Sequence, residues 1–273
     1  MRETISINKP ISSTVSTEDD PYFVTALARG LDVLSCYRSS DISLGNGDLA
    51  ERTGLPKSTI SRLTHTLTRL GYLHYDPALS KYRLGSATLS LGSVMLSKLD
   101  VREIARPSMQ ELADFSRGMV SLGMRSQLSM IYVENRRSET ALTLSLDVGS
   151  RIPIATTAMG RAYIAMAEIT ERDDILEQVR SRTSADWPIV KDGIDSGIEE
   201  HAKNGCCSSF GDWQKDVNAI AVSFHPPNGG PQLTISCGGP ASYLPQEFLM
   251  HSVRPKLLEL VRLLQRRLVG AHR

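Results

Sequence analysis

The sequence predicts an α+β chain in which a small winged helix-turn-helix precedes an antiparallel sheet with packed helices. Three observations carry that prediction. Residues 49–84, LAERTGLPKSTISRLTHTLTRLGYLHYDPALSKYRL, read as the end of one helix, a glycine turn, a second helix and two short strands. Within them Ile60, Leu63, Leu67 and Leu70 recur at i, i+3, i+7 and i+10, one apolar stripe on a helix of about 3.6 residues per turn. Beyond residue 100, strand-like runs are mixed with helical segments, an order that suits a sheet with helices laid on it.

Residues 1–20 are rich in Ser, Thr and acids and read as a mobile arm. Residues 21–85 are expected to form the winged unit. Its first helix carries Val24, Leu27, Ala28, Leu31 and Leu34 as the stripe to be buried. Residues 39–47 read as a loop, and Gly45 and Gly47 fall in the opening turn of the second helix. Each glycine costs about 1 kcal/mol relative to alanine there, so Asn46 is expected to cap a shortened helix. Gly54 permits the tight turn, Pro56 takes the first helical position, where its missing N–H is harmless, and Gly71 ends the helix.

The face opposite the stripe carries Lys57, Ser58, Thr59, Arg62, His65, Thr66 and Arg69. It suits the major groove of double-stranded DNA. The planar fork of Arg62 matches guanine O6 and N7, and Ser58, Thr59 and His65 can bond base edges or phosphates. Lys57 and the unpaired N–H groups at the helix start favour a phosphate. An ordinary solvated helix face has a similar composition, so the flanking elements decide between the two. Residues 73–76 and 81–84 form a hairpin around residues 77–80, a wing whose Lys81 and Arg83 would track the backbone; the alternative is a plain surface hairpin. From residue 21 to 85 there are eight basic residues against five acidic ones, although the whole chain carries only +1.

Residues 86–99 read as a linker helix capped by Ser86, with Leu89, Met95, Leu96 and Leu99 forming part of a dimer seam or packing on the chain itself. Two recognition helices held one helical turn apart read a palindrome. The second domain, residues 100–273, opens with a helix capped by Asp100 whose Val101, Ile104, Ala105, Met109 and Leu112 face inward and which Pro107 kinks or restarts. Strands are expected at residues 119–124, 127–134 and 140–147, the last with Leu142, Leu144 and Leu146 on one face. Helices follow at 158–167, 171–180 and 196–204, then strands at 206–210, 219–225 and 232–237, and a long amphipathic helix at 246–268. PPNGG marks the turn between the last two strands.

Other chemistry finds little support. With 273 residues, 41% hydrophobic and 22% charged, the chain has room for two ordinary globular cores. No apolar run approaches a membrane span and residues 1–20 lack the core of a secretory signal, so a cytoplasmic protein with no membrane partner is expected. Cys36, Cys206, Cys207 and Cys237 show no metal-ligand spacing. Cys206 or Cys207 with Cys237, His201 and His225 would be the zinc alternative, against buried reduced thiols with no metal and no cofactor. A redox sensor would need an exposed thiolate beside positive charge. No enzyme is expected: Ser208 and Ser209 lie outside a nucleophile elbow, no glycine-rich phosphate loop precedes a helix, and His65, His74, His201 and His225 lack carboxylates at recurring spacing. Asp212, Asp216 and Glu134 would be the acid and base pair, without convergent partners.

TTAMG at residues 156–160 opens a helix directly after a strand and a proline, leaving the N–H groups near Ala158 and Met159 free for a carboxylate. Met124, Met130 and Met159 are candidates for adaptable apolar walls, although methionine at such spacing is commonly core.

LAERTGLPKSTISRL followed by LGYL and YRLG resembles the amino-terminal signature of IclR-type bacterial transcription regulators. IPIATTAMGRAYIA, DVNAIAVSF and LTISCGGPASYL resemble three recurring segments of that family's effector domain, so the likeness spans roughly residues 22–268. It implies a GAF-like effector-binding domain, a homodimer or homotetramer on a palindromic operator, and a ligand pocket that uses the backbone at Ala158 and Met159 and the positions of Ser209, Ala219, Ser236 and Gly238. Members sensing small 2-oxo acids look acidic, cysteine, serine and serine at those four positions. This chain keeps only Ser236, which implies a roomier and less polar pocket. TTAMGRAYIA and LARGLDVL are similar to the branch regulating protocatechuate, 4-hydroxybenzoate and β-ketoadipate catabolism, so an aromatic carboxylate is the expected effector. Activator and repressor roles stay open.

Overall fold

A computed structural model describes residues 21–38, 40–138, 146–227 and 229–270. The chain divides into two compact units, Met1–Lys98 and Leu99–Arg273. The arm expected at residues 1–20, and Leu142 and Leu144 of the strand expected at 140–147, lie outside the described residues; Leu146 and Asp147 are not in a strand.

In the first unit the helices are α1 (Thr25–Ser35), α2 (Asn46–Thr53) and α3 (Lys57–Arg69), followed by β1 (Leu73–Asp76), β2 (Lys81–Leu84) and α4 (Ser86–Ser97). β1 and β2 pair antiparallel with Leu73 opposite Leu84 and Asp76 opposite Lys81. Leu44 exchanges two backbone hydrogen bonds of 2.8 Å with Tyr82, so the segment expected to be pure loop adds a one-residue strand to the wing. Val33, Leu44, Leu49, Ile60, Leu67 and Leu73 form the core, with Leu34, Leu55, Leu63 and Tyr82 around it.

Leu70 is 61% exposed because it follows the last helical residue; Thr64 takes the inward place between Ile60 and Leu67, its hydroxyl satisfied by the Ile60 carbonyl at 3.0 Å. On α1 the stripe faces the other way: Val24, Leu27 and Leu31 are exposed, whereas Val33 is buried and Gly30 faces Leu63. Helix α2 is capped at Gly45, not Asn46, and the Asp48 carboxylate accepts from the Gly45 N–H at 2.9 Å. Pro56, Gly85 and Leu99 are likewise the cap residues, one position before the starts of α3, α4 and α5 (Asp100–Ser116). Ser86 and Asp100 are therefore first helical residues. Gly85 is needed for a close crossing: a Cβ on it would lie 2.2 Å from the Gly71 carbonyl oxygen.

The second unit opens with α5, which runs unbroken through Pro107, and continues with β3 (Met119–Ser126), β4 (Ser129–Arg137), β5 (Arg151–Pro153), α6 (Ala158–Met166), α7 (Ile169–Thr183) and α8 (Trp187–Asn204). Then come β6 (Cys207–Phe210), β7 (Val217–Phe224), β8 (Leu233–Pro240), a short α9 (Gln246–Phe248), a π-helical turn at Leu249–Val253 and α10 (Arg254–Gly270). The long helix expected at 246–268 is thus interrupted. Pro188 falls in the first turn of α8, where proline is tolerated, so that helix starts well before residue 196. The six strands form one antiparallel sheet in the order β5-β4-β3-β8-β7-β6. Side chains alternate across it. Cys237 points to α5, its sulfur 3.4 Å from the Ser116 hydroxyl, while Ser236 and Gly238 point to the α6 side.

Candidate nucleic-acid interface and ligand pocket

Local chemistry fixes how α3 is presented. Gly54 ends α2 at φ 71°, a left-handed conformation that glycine adopts without a Cβ clash, and the chain turns directly into α3. The buried Thr64 hydroxyl lies 3.4 Å from the Asn46 side-chain oxygen and links α3 to α2. Arg52 of α2 grips Asp41 with both guanidinium nitrogens, Nη2 at 3.0 Å, and donates to the Cys36 carbonyl at 3.0 Å. These hydrogen bonds hold the Asp41 carboxyl below its ordinary value of 3.8.

With Ile60 and Leu67 turned inward, Lys57, Ser58, Arg62, His65, Thr66 and Arg69 are exposed along α3, and Thr59 is half-buried. Lys81 and Arg83 are exposed on β2. Helix α3 carries no acidic residue, and among the described residues none of Lys57, Arg62, Arg69, Lys81 and Arg83 joins an ion pair. The face therefore presents uncompensated positive charge and hydroxyl groups, which suits phosphates and base edges.

In the second unit strand register gathers side chains from distant sequence positions. Ser209 lies opposite Ala219, Ala219 opposite Gly238, and Gly238 opposite Met119, one row across β6, β7, β8 and β3. Ser236 and Val217 sit two residues from members of that row and share its face. Tyr132 pairs with Gly123 just beyond a register shift in β3 and β4. Above this floor lies the start of α6. The Thr157 hydroxyl caps the helix, accepting from the Gly160 N–H at 3.1 Å and donating to the Pro153 carbonyl at 2.6 Å. The N–H groups of Ala158 and Met159 precede any i−4 carbonyl of the helix and stay available. Glycine at 160 is required by a close crossing, since a Cβ there would lie 1.9 Å from the Ile154 carbonyl oxygen.

A single cavity is lined by Ala158, Met159, Ser209, Ala219, Ser236 and Gly238, together with Met119, Tyr132, Ile152, Thr157, Trp213, Val217 and Gly239. All six positions expected at a pocket are present. Sequence reasoning missed the other seven. Val217 was legible as period two from Ala219, but Met119 required a pairing of strands far apart in the chain, and Trp213 sits in a turn with no periodicity. Met124 and Met130 are not in the lining. No lining side chain is charged, so the pocket is apolar as expected. It is not roomy. Its empty space with the mouth included is about 440 Å³, but only about 30 Å³ is open to the centres of water molecules. That is room for roughly two or three waters, with the long side chains of Met119, Tyr132, Met159 and Trp213 among those that border it.

The alternative chemistries gain nothing from this geometry. Burial pushes the Cys206 thiol up to about 12 and those of Cys36 and Cys237 up to about 11, and raises Cys207 as well. Protonated buried thiols are poor redox sensors. Asp212 pairs with Arg161, and Glu134 with Arg102, Arg106 and Arg136, so these carboxylates are held in separate ion pairs. Among the described residues no group of three metal-ligating side chains comes together, and no helix is long and apolar enough to cross a membrane.

Comparison with known proteins gives one answer for both units. Residues 26–77 match the profile described as the IclR helix-turn-helix domain, and residues 93–266 match the profile of the bacterial transcriptional regulator IclR C-terminal region. The HTH-type transcriptional regulator TsaQ1/TsaQ2 of Comamonas testosteroni is 33% identical over 244 residues, which span 89% of this chain and 87% of that protein. An IclR family transcriptional regulator from Brucella abortus has the same architecture with a TM-score of 0.83 at 42% identity, covering 93% of this chain and 95% of that one. An IclR homolog from Microbacterium hydrocarbonoxydans, solved as a complex with 4-hydroxybenzoate, shares the fold at 19% identity and a TM-score of 0.69, covering 90% and 100% of the two chains. With both profiles matched in order and most of the chain aligned at this level of identity, the protein belongs to the IclR family of bacterial transcriptional regulators.

Proposed function

We propose that this regulator binds a palindromic operator as a homodimer, or as two such dimers, and that a small aromatic carboxylate in the cavity beneath α6 controls its hold on DNA. The α3 face carries the first half: Lys57, Ser58, Thr59, Arg62, His65, Thr66 and Arg69 read the major groove, and Lys81 and Arg83 follow the adjacent backbone. Exposed apolar side chains on α1 and α4 support the pairing of two copies. Val24, Leu27 and Leu31, and Leu89, Leu91, Val94 and Met95, are between 49% and 71% exposed.

The observation that carries the effector half is an uncharged cavity bordered by the start of α6, a place where backbone N–H groups without a helical partner suit an anion. The carboxylate is held by Ala158 and Met159 with help from Ser209 and Ser236, and the rest of the molecule lies along Met119, Tyr132 and Ala219. The 4-hydroxybenzoate complex of the Microbacterium hydrocarbonoxydans homolog supports this ligand class. The fit requires side chains to move, since the space is small as it stands. Binding shifts DNA affinity only if the two arrangements of the regulator bind ligand unequally, and such couplings are typically about 1–3 kcal/mol.

DNA retained by the protein from fragmented genomic DNA provides the operator for an anisotropy titration with and without 4-hydroxybenzoate and pyruvate. A change in operator affinity of roughly 5- to 150-fold with the aromatic acid and none with pyruvate is expected. A response to pyruvate alone would reject the aromatic reading.

A further inference from the structure

Trp213 lies in the turn 211–216 that joins β6 to β7, half-buried, with one side on the pocket. The turn is closed by the Gly211 N–H on the Val217 carbonyl at 3.0 Å and held to the end of β8 by the Ala241 N–H on the Asp216 carbonyl at 2.7 Å. Next to the indole, Asp212 accepts from Arg161 Nη1 at 2.7 Å, and the same nitrogen donates to the Ser208 carbonyl at 3.1 Å. Arg161 is 8% exposed and stands two residues after Met159 of the pocket wall. Its path is built into α8. Gly193 and Gly197, one turn apart, leave a furrow for it: a Cβ on Gly193 would lie 2.4 Å from Arg161 Nη2, and one on Gly197 would lie 3.1 Å from Arg161 Cβ. A buried guanidinium thus crosses from the pocket helix, along a furrow of glycines, to the one turn that carries the pocket's indole.

We propose that Trp213 is the specificity-determining wall of the effector pocket, and that the Arg161–Asp212 ion pair is the latch that sets its position. This rests on the reading above that the cavity takes an organic acid. The indole is the largest aromatic surface in the lining, and a ring-bearing acid stacks on it where a two- or three-carbon acid does not reach. Because the resting cavity holds only about two or three waters, an aromatic acid enters by displacing the indole. Arg161 then couples that displacement to the start of α6, where the carboxylate is held.

The chain has two tryptophans, Trp187 and Trp213, so Trp187→Phe in the full-length protein leaves Trp213 as the only indole reporter. The latch is tested without ligand. Asp212→Asn and Gly193→Ala, made in that background, are each expected to red-shift the emission and raise acrylamide quenching while the far-ultraviolet circular dichroism is retained; unchanged quenching in both overturns the latch. The wall is tested with benzoate, 4-hydroxybenzoate and pyruvate, followed by thermal shift and by Trp213 emission. Trp213→Ala is expected to weaken the ring acids about tenfold and leave pyruvate unchanged, with Trp213→Phe restoring most of the loss. If ring acids raise the melting temperature equally in wild type and Trp213→Ala, with no change in Trp213 emission, the wall is refuted and the effector reading survives. If no ring acid raises it in wild type, the effector reading fails and the wall falls with it, while the quenching result still decides the latch.

Discussion

Asp41 and Arg52 show how much of the DNA-facing unit depends on a single contact. The carboxylate accepts both guanidinium nitrogens and the Arg38 backbone N–H at 2.7 Å, which joins the chain after α1 to α2 and so supports the angle at which α3 emerges. Hydrogen bonding from Arg52 lowers the Asp41 pKa in the folded chain, so the contact contributes fully above the ordinary value of 3.8 and is lost as pH falls through the depressed value. Asp41→Asn is therefore expected to lower the stability of this unit by about 1–2 kcal/mol near neutral pH. In calorimetry of wild type and variant, the gap between the melting temperatures should hold down to about pH 5 and close below about pH 4. A gap that widens on acidification would assign the contact wrongly. Other single residues were legible for simpler reasons. Gly54 and Gly71 adopt φ of 71° and 78°, as a turn and a helix end demand. Asn46, Ser86 and Asp100 each read as a cap one position late, because a side chain able to cap also serves as a first helical residue.

At the level of elements, periodicity located α3, the wing and most of the strands, but it did not say which apolar face is buried. Helix α1 carries apolar residues on two sides. Leu27 and Leu31 made the more regular stripe, yet Val33 is the residue that meets the core, with Leu34 beside it, while Leu27 and Leu31 stay exposed. A stripe that is regular but exposed needs a partner, and a second copy of this unit is the proposed one. Leu27→Glu combined with Leu89→Glu should leave the melting temperature within a few degrees, since both residues are more than 60% exposed. In light scattering the same pair should shift the protein to a smaller species, and unchanged mass would remove α1 and α4 from the pairing surface. Strand β5 and the first half of α8 were missed for different reasons. Arg151–Pro153 is too short to show alternation, and Pro188 reads as a break unless it is recognised as a first-turn residue.

For the whole molecule, the sequence carried the family, while the shape of the pocket came only from register. Ser209, Ala219, Gly238 and Met119 form one row through three strand pairings, none of which is visible in a linear pattern. The pocket's apolar character followed from its small residues; its narrowness did not, because bordering side chains such as Trp213 and Met159 come from a turn and a helix start rather than from the strand pattern. Operator recognition as proposed depends on the exposed side of α3 being the surface that meets DNA. Fluorescence anisotropy of Arg62→Ala on the operator fragment tests this most directly. Loss of a guanine contact worth about 1–3 kcal/mol predicts a roughly 5- to 150-fold weaker complex, with a melting temperature unchanged because Arg62 is exposed and outside any ion pair among the described residues. Wild-type affinity in the Arg62→Ala protein would contradict the account.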